Sequence, residues 1–167
     1  MISKLYIAYG SNLNLEQMEH RCPFARVVGK SEIKDYALVF RGSRSGAVAT
    51  IEPCKDSFVP VLIWRVTKHD ERALDIYEGY PKFYDKKVMD IVIDDKTVSA
   101  MVYVMTQGHR LGYPSKGYYN TIKDGYKAAG FDTDILKTAI DYTEKLMQDE
   151  YSQKQQNIYE FNNMNLW

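Results

Sequence analysis

Between residues 24 and 65 the chain repeats one theme: short runs rich in β-branched and aromatic residues, separated by turn residues. The runs fall at 24–28, 33–41, 46–52 and 58–65. The turns fall at Gly29 with Lys30, at the glycine-bounded 42–46 segment, and at 53–57. Strands spaced this closely predict an antiparallel, barrel-like sheet. The 42–46 loop lacks the Lys-Ser/Thr ending of a nucleotide loop and no helix follows it, so it is expected to close a hairpin.

Ahead of this region Leu5, Tyr6, Ile7 and Ala8 predict a first strand, stopped by Tyr9-Gly10-Ser11-Asn12-Leu13-Asn14. A tight loop ahead of a helical turn turns its backbone N–H groups outward, which suits a carboxylate or a developing oxyanion. Gly10 permits close approach to the main chain, and Ser11 and Asn12 add side-chain donors. The same composition also describes an ordinary strand-to-helix turn with an Asn cap. A short helix over 15–21 then ends at Pro23.

Downstream, Thr67 to Asp70 resembles a capping box, opening a helix over 68–78 that Gly79 stops. Glu78 therefore sits at the helix C-terminus, where the macrodipole disfavours its charged form and raises its pKa. That suits a group that takes up and returns a proton near neutrality, although an exposed acid on a frayed end reads the same way. A hairpin follows over 83–93 and 97–106, around Asp94, Asp95 and Lys96. Ser115 caps a further helix whose buried positions are Tyr118, Ile122, Tyr126 and Ala129. Gly130 ends it, Asp132 or Thr133 opens the last helix, and Ile135 to Met147 supply a buried stripe, so an αα-hairpin is expected. Residues 152–167 form a polar tail with a late aromatic cluster of Tyr159, Phe161, Leu166 and Trp167, either partly disordered or docked.

With 167 residues and no interdomain linker, one domain over 1–151 is expected, followed by that tail. Twenty-two acidic and 22 basic residues cancel, which argues against nucleic-acid or membrane partners. No leader or membrane-spanning run is visible, so a cytoplasmic location is expected. Cys22 and Cys54 are too few for a disulfide framework, and His20, His69 and His109 show no paired-ligand spacing for a metal. The 14 tyrosines are unusual, and some of them should line a pocket or an interface.

Three stretches, in order, resemble the γ-glutamylcyclotransferase-like superfamily, which includes the AIG2-like proteins: Tyr9 to Leu13, Glu78 to Tyr84, and Pro114 to Tyr118. The resemblance covers roughly residues 4–144 and implies a single α+β domain. That domain is a mostly antiparallel small β-barrel with a mid-chain helix and a C-terminal helix pair. It implies an enzyme that cyclises a γ-glutamyl amide or amino acid to 5-oxoproline and releases the amine, with no cofactor or metal. It makes Glu78 the acid–base group and places Tyr9, Gly10, Ser11, Asn12, Leu13, Tyr84 and Tyr118 around the substrate. The partner implied is a small γ-glutamyl molecule, and monomer and homodimer both remain open. Tyr80-Pro81 after Gly79 is closer to the AIG2-like and bacterial members than to the mammalian γ-glutamyl-amino-acid enzyme. A relative specialised for γ-glutamyl amines or a γ-glutamyl-protected intermediate, or a non-catalytic binding module, is the alternative.

Overall fold

The computed structural model describes residues 2–164. Its elements run β1 (Ser3–Ala8), a 3₁₀ turn (Ser11–Leu13), α1 (Leu15–Arg21), β2 (Arg26–Gly42), β3 (Val48–Thr67) and α2 (Lys68–Tyr77). There follow β4 (Tyr84–Ile93), β5 (Lys96–Met105), β6 (Arg110–Leu111), α3 (Lys116–Ala129) and α4 (Asp134–Met164).

The 24–65 region makes two long strands rather than four. β2 and β3 pair antiparallel over most of their 17 and 20 residues, joined by the expected hairpin loop after Gly42. The other two expected turns are absorbed within the ribbon. Val28 is an extra residue between the Val27 and Gly29 pairings, and Cys54 to Ser57 stand opposite Asp35 alone. Asp35 and Asp56 adopt φ of 59° and 63°, and the Asp35 carboxylate accepts the Asp56 N–H at 2.9 Å. Aspartate tolerates the left-handed region and can bond its local backbone, so residues that resemble a turn here bend a strand as a bulge.

The sheet order is β4-β5-β1-β3-β2-β6, with β1 and β5 parallel and the remaining pairs antiparallel. The expected barrel does not close. The ribbon curls far enough for the Ser31 hydroxyl on β2 to donate to the Val92 carbonyl on β4 at 2.7 Å, yet no backbone ladder joins these strands. Mostly antiparallel pairing is present, in an open curled sheet.

Helix α2 starts as expected: the Thr67 hydroxyl accepts the Asp70 N–H, and the Asp70 carboxylate accepts the Thr67 N–H. The last two helices pack differently from a hairpin closed on itself. α3 lies on the 3₁₀ turn and α4 lies on β2. Ile122, Tyr126 and Ala129 are buried on α3, and Gly130 ends it at φ 75°. Helix α4 runs on through Met164, so the segment from 152 to 164 is an exposed continuation of it. Leu166 and Trp167 lie outside the described residues.

Candidate active site

β1 stops at Ala8, opposite Leu62, whereas β3 begins at Val48. Beside the early part of β3 there is consequently a gap on the β1 side. At Ala49 that gap is filled by two tyrosine hydroxyls: Tyr84 donates to the Ala49 carbonyl at 2.6 Å, and the Ala49 N–H donates to the Tyr118 oxygen at 3.0 Å. Here lies a cavity of about 190 Å³, walled by the loop after β1, the end of α2, the start of β4 and the first turn of α3. Tyr84→Phe should leave a buried carbonyl unpartnered and lower stability by about 1–2 kcal/mol, measurable by urea unfolding.

The structure brings Tyr9, Gly10, Ser11, Asn12, Glu78, Tyr84 and Tyr118 together at this cavity. Leu13 is not among the lining residues: its side chain is fully buried and its N–H donates to the Gly10 carbonyl at 3.0 Å. The helix cap expected in this loop is Asn14, whose side chain accepts the Gln17 N–H at 3.0 Å. Asn12 is therefore released from capping. Its amide donates to the Tyr6 hydroxyl at 2.8 Å and to the Glu78 carboxylate at 3.3 Å.

Glu78 caps the C-terminus of α2 and points into the cavity, with Gly79 at φ 61° turning the chain away behind it. Its pKa is pushed up from 4.5 to about 7. The cause is burial among the tyrosines, opposed by the Arg21 guanidinium.

Tyr6, Tyr77 and Tyr103 also line the wall and carried no motif; the tyrosine-rich composition was their only signal. Apart from Tyr77, which shares a hydrogen bond with the Ser11 hydroxyl, the hydroxyls divide into two groups. Tyr9 donates to the Tyr103 carbonyl at 2.6 Å, Tyr84 to Ala49, and Tyr103 to the Asp75 carboxylate at 2.5 Å, so those protons are committed to the scaffold. The Tyr6 and Tyr118 oxygens act as acceptors for Asn12 and Ala49, which leaves their own protons for another acceptor. Burial raises the pKa of Tyr6, Tyr9, Tyr84 and Tyr118, which keeps the wall uncharged. Cys22 is a core thiol pushed up to about 12 by burial, which leaves it little thiolate to act as a nucleophile. Among the described residues no cluster of three or more His, Cys, Asp or Glu side chains suits a metal.

The family model described as gamma-glutamyl cyclotransferase, AIG2-like, matches residues 6–125. The gamma-glutamylcyclotransferase of Homo sapiens is 30% identical over 158 residues, covering 86% of this chain and 77% of that protein. Its Mus musculus counterpart is 32% identical over 136 residues, covering 75% and 71%. A solved gamma-glutamyl cyclotransferase superposes with a TM-score of 0.74 at 27% identity, covering 83% of this chain and 86% of that one. A mouse AIG2-like structure shares the fold at a TM-score of 0.53 and 16% identity. Matched across the loop, the acid-bearing helix end and the α3 entry alike, this chain belongs to the AIG2-like gamma-glutamyl cyclotransferase family.

Proposed function

We propose that this chain cyclises a γ-glutamyl amide or γ-glutamyl amino acid to 5-oxoproline and releases the amine, with Glu78 as the proton carrier. The observation that carries this reading is a single carboxylate, Glu78, on the wall of a tyrosine-lined cavity, with a pKa of about 7. Near neutral pH such a group exists in both forms, which is what a residue that alternates between base and acid requires.

The α-nitrogen of the substrate arrives as an ammonium. Glu78 removes one proton, and the freed amine attacks the γ-carbonyl carbon of the same molecule, forming the ring C–N bond and an oxyanion. As that intermediate collapses, the bond to the departing nitrogen breaks. In all, two protons leave the α-nitrogen and two reach the departing amine, which exits as an ammonium, so Glu78 ends as it began. Nucleophile and electrophile share one chain, so folding the substrate into a near-attack ring replaces an encounter, an advantage of about 7 kcal/mol or more.

Holding that fold is the task of the wall. No cation is among the lining residues, so the substrate carboxylate or the oxyanion falls to the N–H groups of Gly10, Ser11 and Asn12. Leu13, with its N–H engaged, supports the loop from beneath. Tyr118 offers its free proton, and Tyr84 holds the wall by its grip on Ala49. A space of about 190 Å³ is many times the volume that admits one water, which leaves room for the γ-glutamyl half. The departing amine then lies toward the mouth.

Incubation of the protein and of Glu78→Gln with γ-glutamyl amino acids, γ-glutamyl-lysine and glutathione, with mass-spectrometric detection of 5-oxoproline, tests this. Product is expected from the parent and about a thousandfold less from the variant. Comparable product from both would remove Glu78 from the chemistry.

A further inference from the structure

Arg21, the last residue of α1, belongs to none of the three motifs and does not line the cavity. Its guanidinium nevertheless reaches the group beside Glu78. One nitrogen, Nη1, donates to the Asn12 side-chain Oδ1, Nη2 donates to the Gln17 side-chain oxygen at 3.1 Å, and the carbon between them sits 3.3 Å from the centre of the Tyr77 ring. Tyr77 is tied in turn to the Ser11 hydroxyl at 2.8 Å. One side chain thus joins α1, the loop after β1 and the last turn of α2.

The Asn12 side chain is only 2% exposed and has two unlike ends. With its amide reversed, it would turn an oxygen toward the Glu78 carboxylate and offer Tyr6 no donor. A guanidinium carries donors alone, so it accepts only the oxygen end of Asn12 and excludes that reversal. Around Glu78 stand the phenols of Tyr6 from β1, Tyr9 from the loop, Tyr84 from β4, Tyr103 from β5 and Tyr118 from α3. All of these are neutral acids that offer no compensating positive charge. Arg21 is the cation acting on Glu78.

We propose that Arg21 is a positioning residue for the cyclisation: it fixes the Asn12 amide with its N–H toward Glu78, and it supplies the positive charge that balances the Glu78 carboxylate. The inference rests on the acid–base reading of Glu78, and it assigns Arg21 no contact with substrate.

The test needs no substrate for its first readout. The melting-temperature difference between Glu78→Gln and its parent, followed from about pH 4 to about pH 9, levels off once Glu78 is ionised. With Arg21 present it should level off near pH 7, and in an Arg21→Met background about one pH unit higher. The acid limb of kcat/KM should move with it, so that Arg21→Met recovers part of its activity at alkaline pH. Arg21→Lys keeps the charge without the planar fork. It should return the levelling-off point to near pH 7 while kcat stays about tenfold low. Should Arg21→Met fail to fold, Arg21→Gln removes the charge while retaining a hydrogen-bonding end. An unmoved levelling-off point in the uncharged variant overturns the charge role, and full kcat in Arg21→Lys overturns the amide role. A difference that does not change with pH even beside intact Arg21 would instead remove the Glu78 assignment beneath both.

Discussion

Glu78→Gln is expected to melt about 5 °C higher than the parent protein above pH 7 while turning over about a thousandfold more slowly. Burial raises the Glu78 pKa from 4.5 to about 7, so the folded chain resists an ionisation that the unfolded chain undergoes freely. Below pH 4.5 both states hold the proton and the group costs nothing. Stability then falls as pH rises toward 7, and the loss is constant beyond it. The full change corresponds to at most about 3 kcal/mol, and about 2 kcal/mol is expected because Glu78 is only partly buried. Glutamine keeps an oxygen for the Asn12 amide and carries no charge, so it escapes the penalty. The two proteins should melt together below pH 4.5 and diverge between pH 5 and 7, as differential scanning calorimetry in matched buffers would record. A variant less stable at alkaline pH would mean that the carboxylate is well solvated, and the acid–base role would lose its physical basis.

Gly125→Ala should cost about 2 kcal/mol of stability and lower kcat/KM about a hundredfold, although the residue lies outside the cavity. A β-carbon there would stand 2.7 Å from the Leu13 carbonyl carbon and 2.9 Å from the Asn14 nitrogen, both main-chain atoms that cannot swing aside. Either α3 lifts, carrying Tyr118 with it, or the loop shifts, carrying Gly10 to Asn12. Alanine's better helix propensity, about 1 kcal/mol, offsets part of the strain. Gly117→Ala in the same helix is the control, because nothing lies within 4 Å of its added carbon. It should be neutral or slightly stabilising with full activity. Equal behaviour of the two variants, in melting and in turnover, would show that the approach of α3 to the loop does not set the site.

Much of this was legible in the sequence wherever a local signal had a local cause. The Thr67–Asp70 capping box, the Gly130 stop and the hairpin at Asp94 and Asp95 are each decided within a few residues, and the structure has them. The ribbon differs from the four expected strands because the 53–57 residues, Asp56 among them, serve a bulge as well as they serve a turn, and only the partner strand decides between them. Barrel closure was not legible either, since it depends on whether β2 reaches β4 with its backbone or only with the Ser31 side chain. Within the site, Glu78 could be found from its position at a helix end, but the main reason for its altered proton affinity is burial by tyrosines distant in sequence. Arg21 had no signature at all, because its importance arises from a contact with Asn12 that forms only when α1 folds back over the loop.

The pairing of Ala49 with Tyr84 and Tyr118 has a consequence for how such a protein can diversify. The substrate chamber is a vacancy in the sheet lattice, a berth where another strand would otherwise run, and one part of its wall, at Ala49, is backbone held by two phenols. Mutation can repaint a wall made of side chains, but it cannot repaint one made of peptide groups. New leaving-group preferences should therefore arise by rebuilding the rim loops, with the inner chamber passed on nearly unchanged.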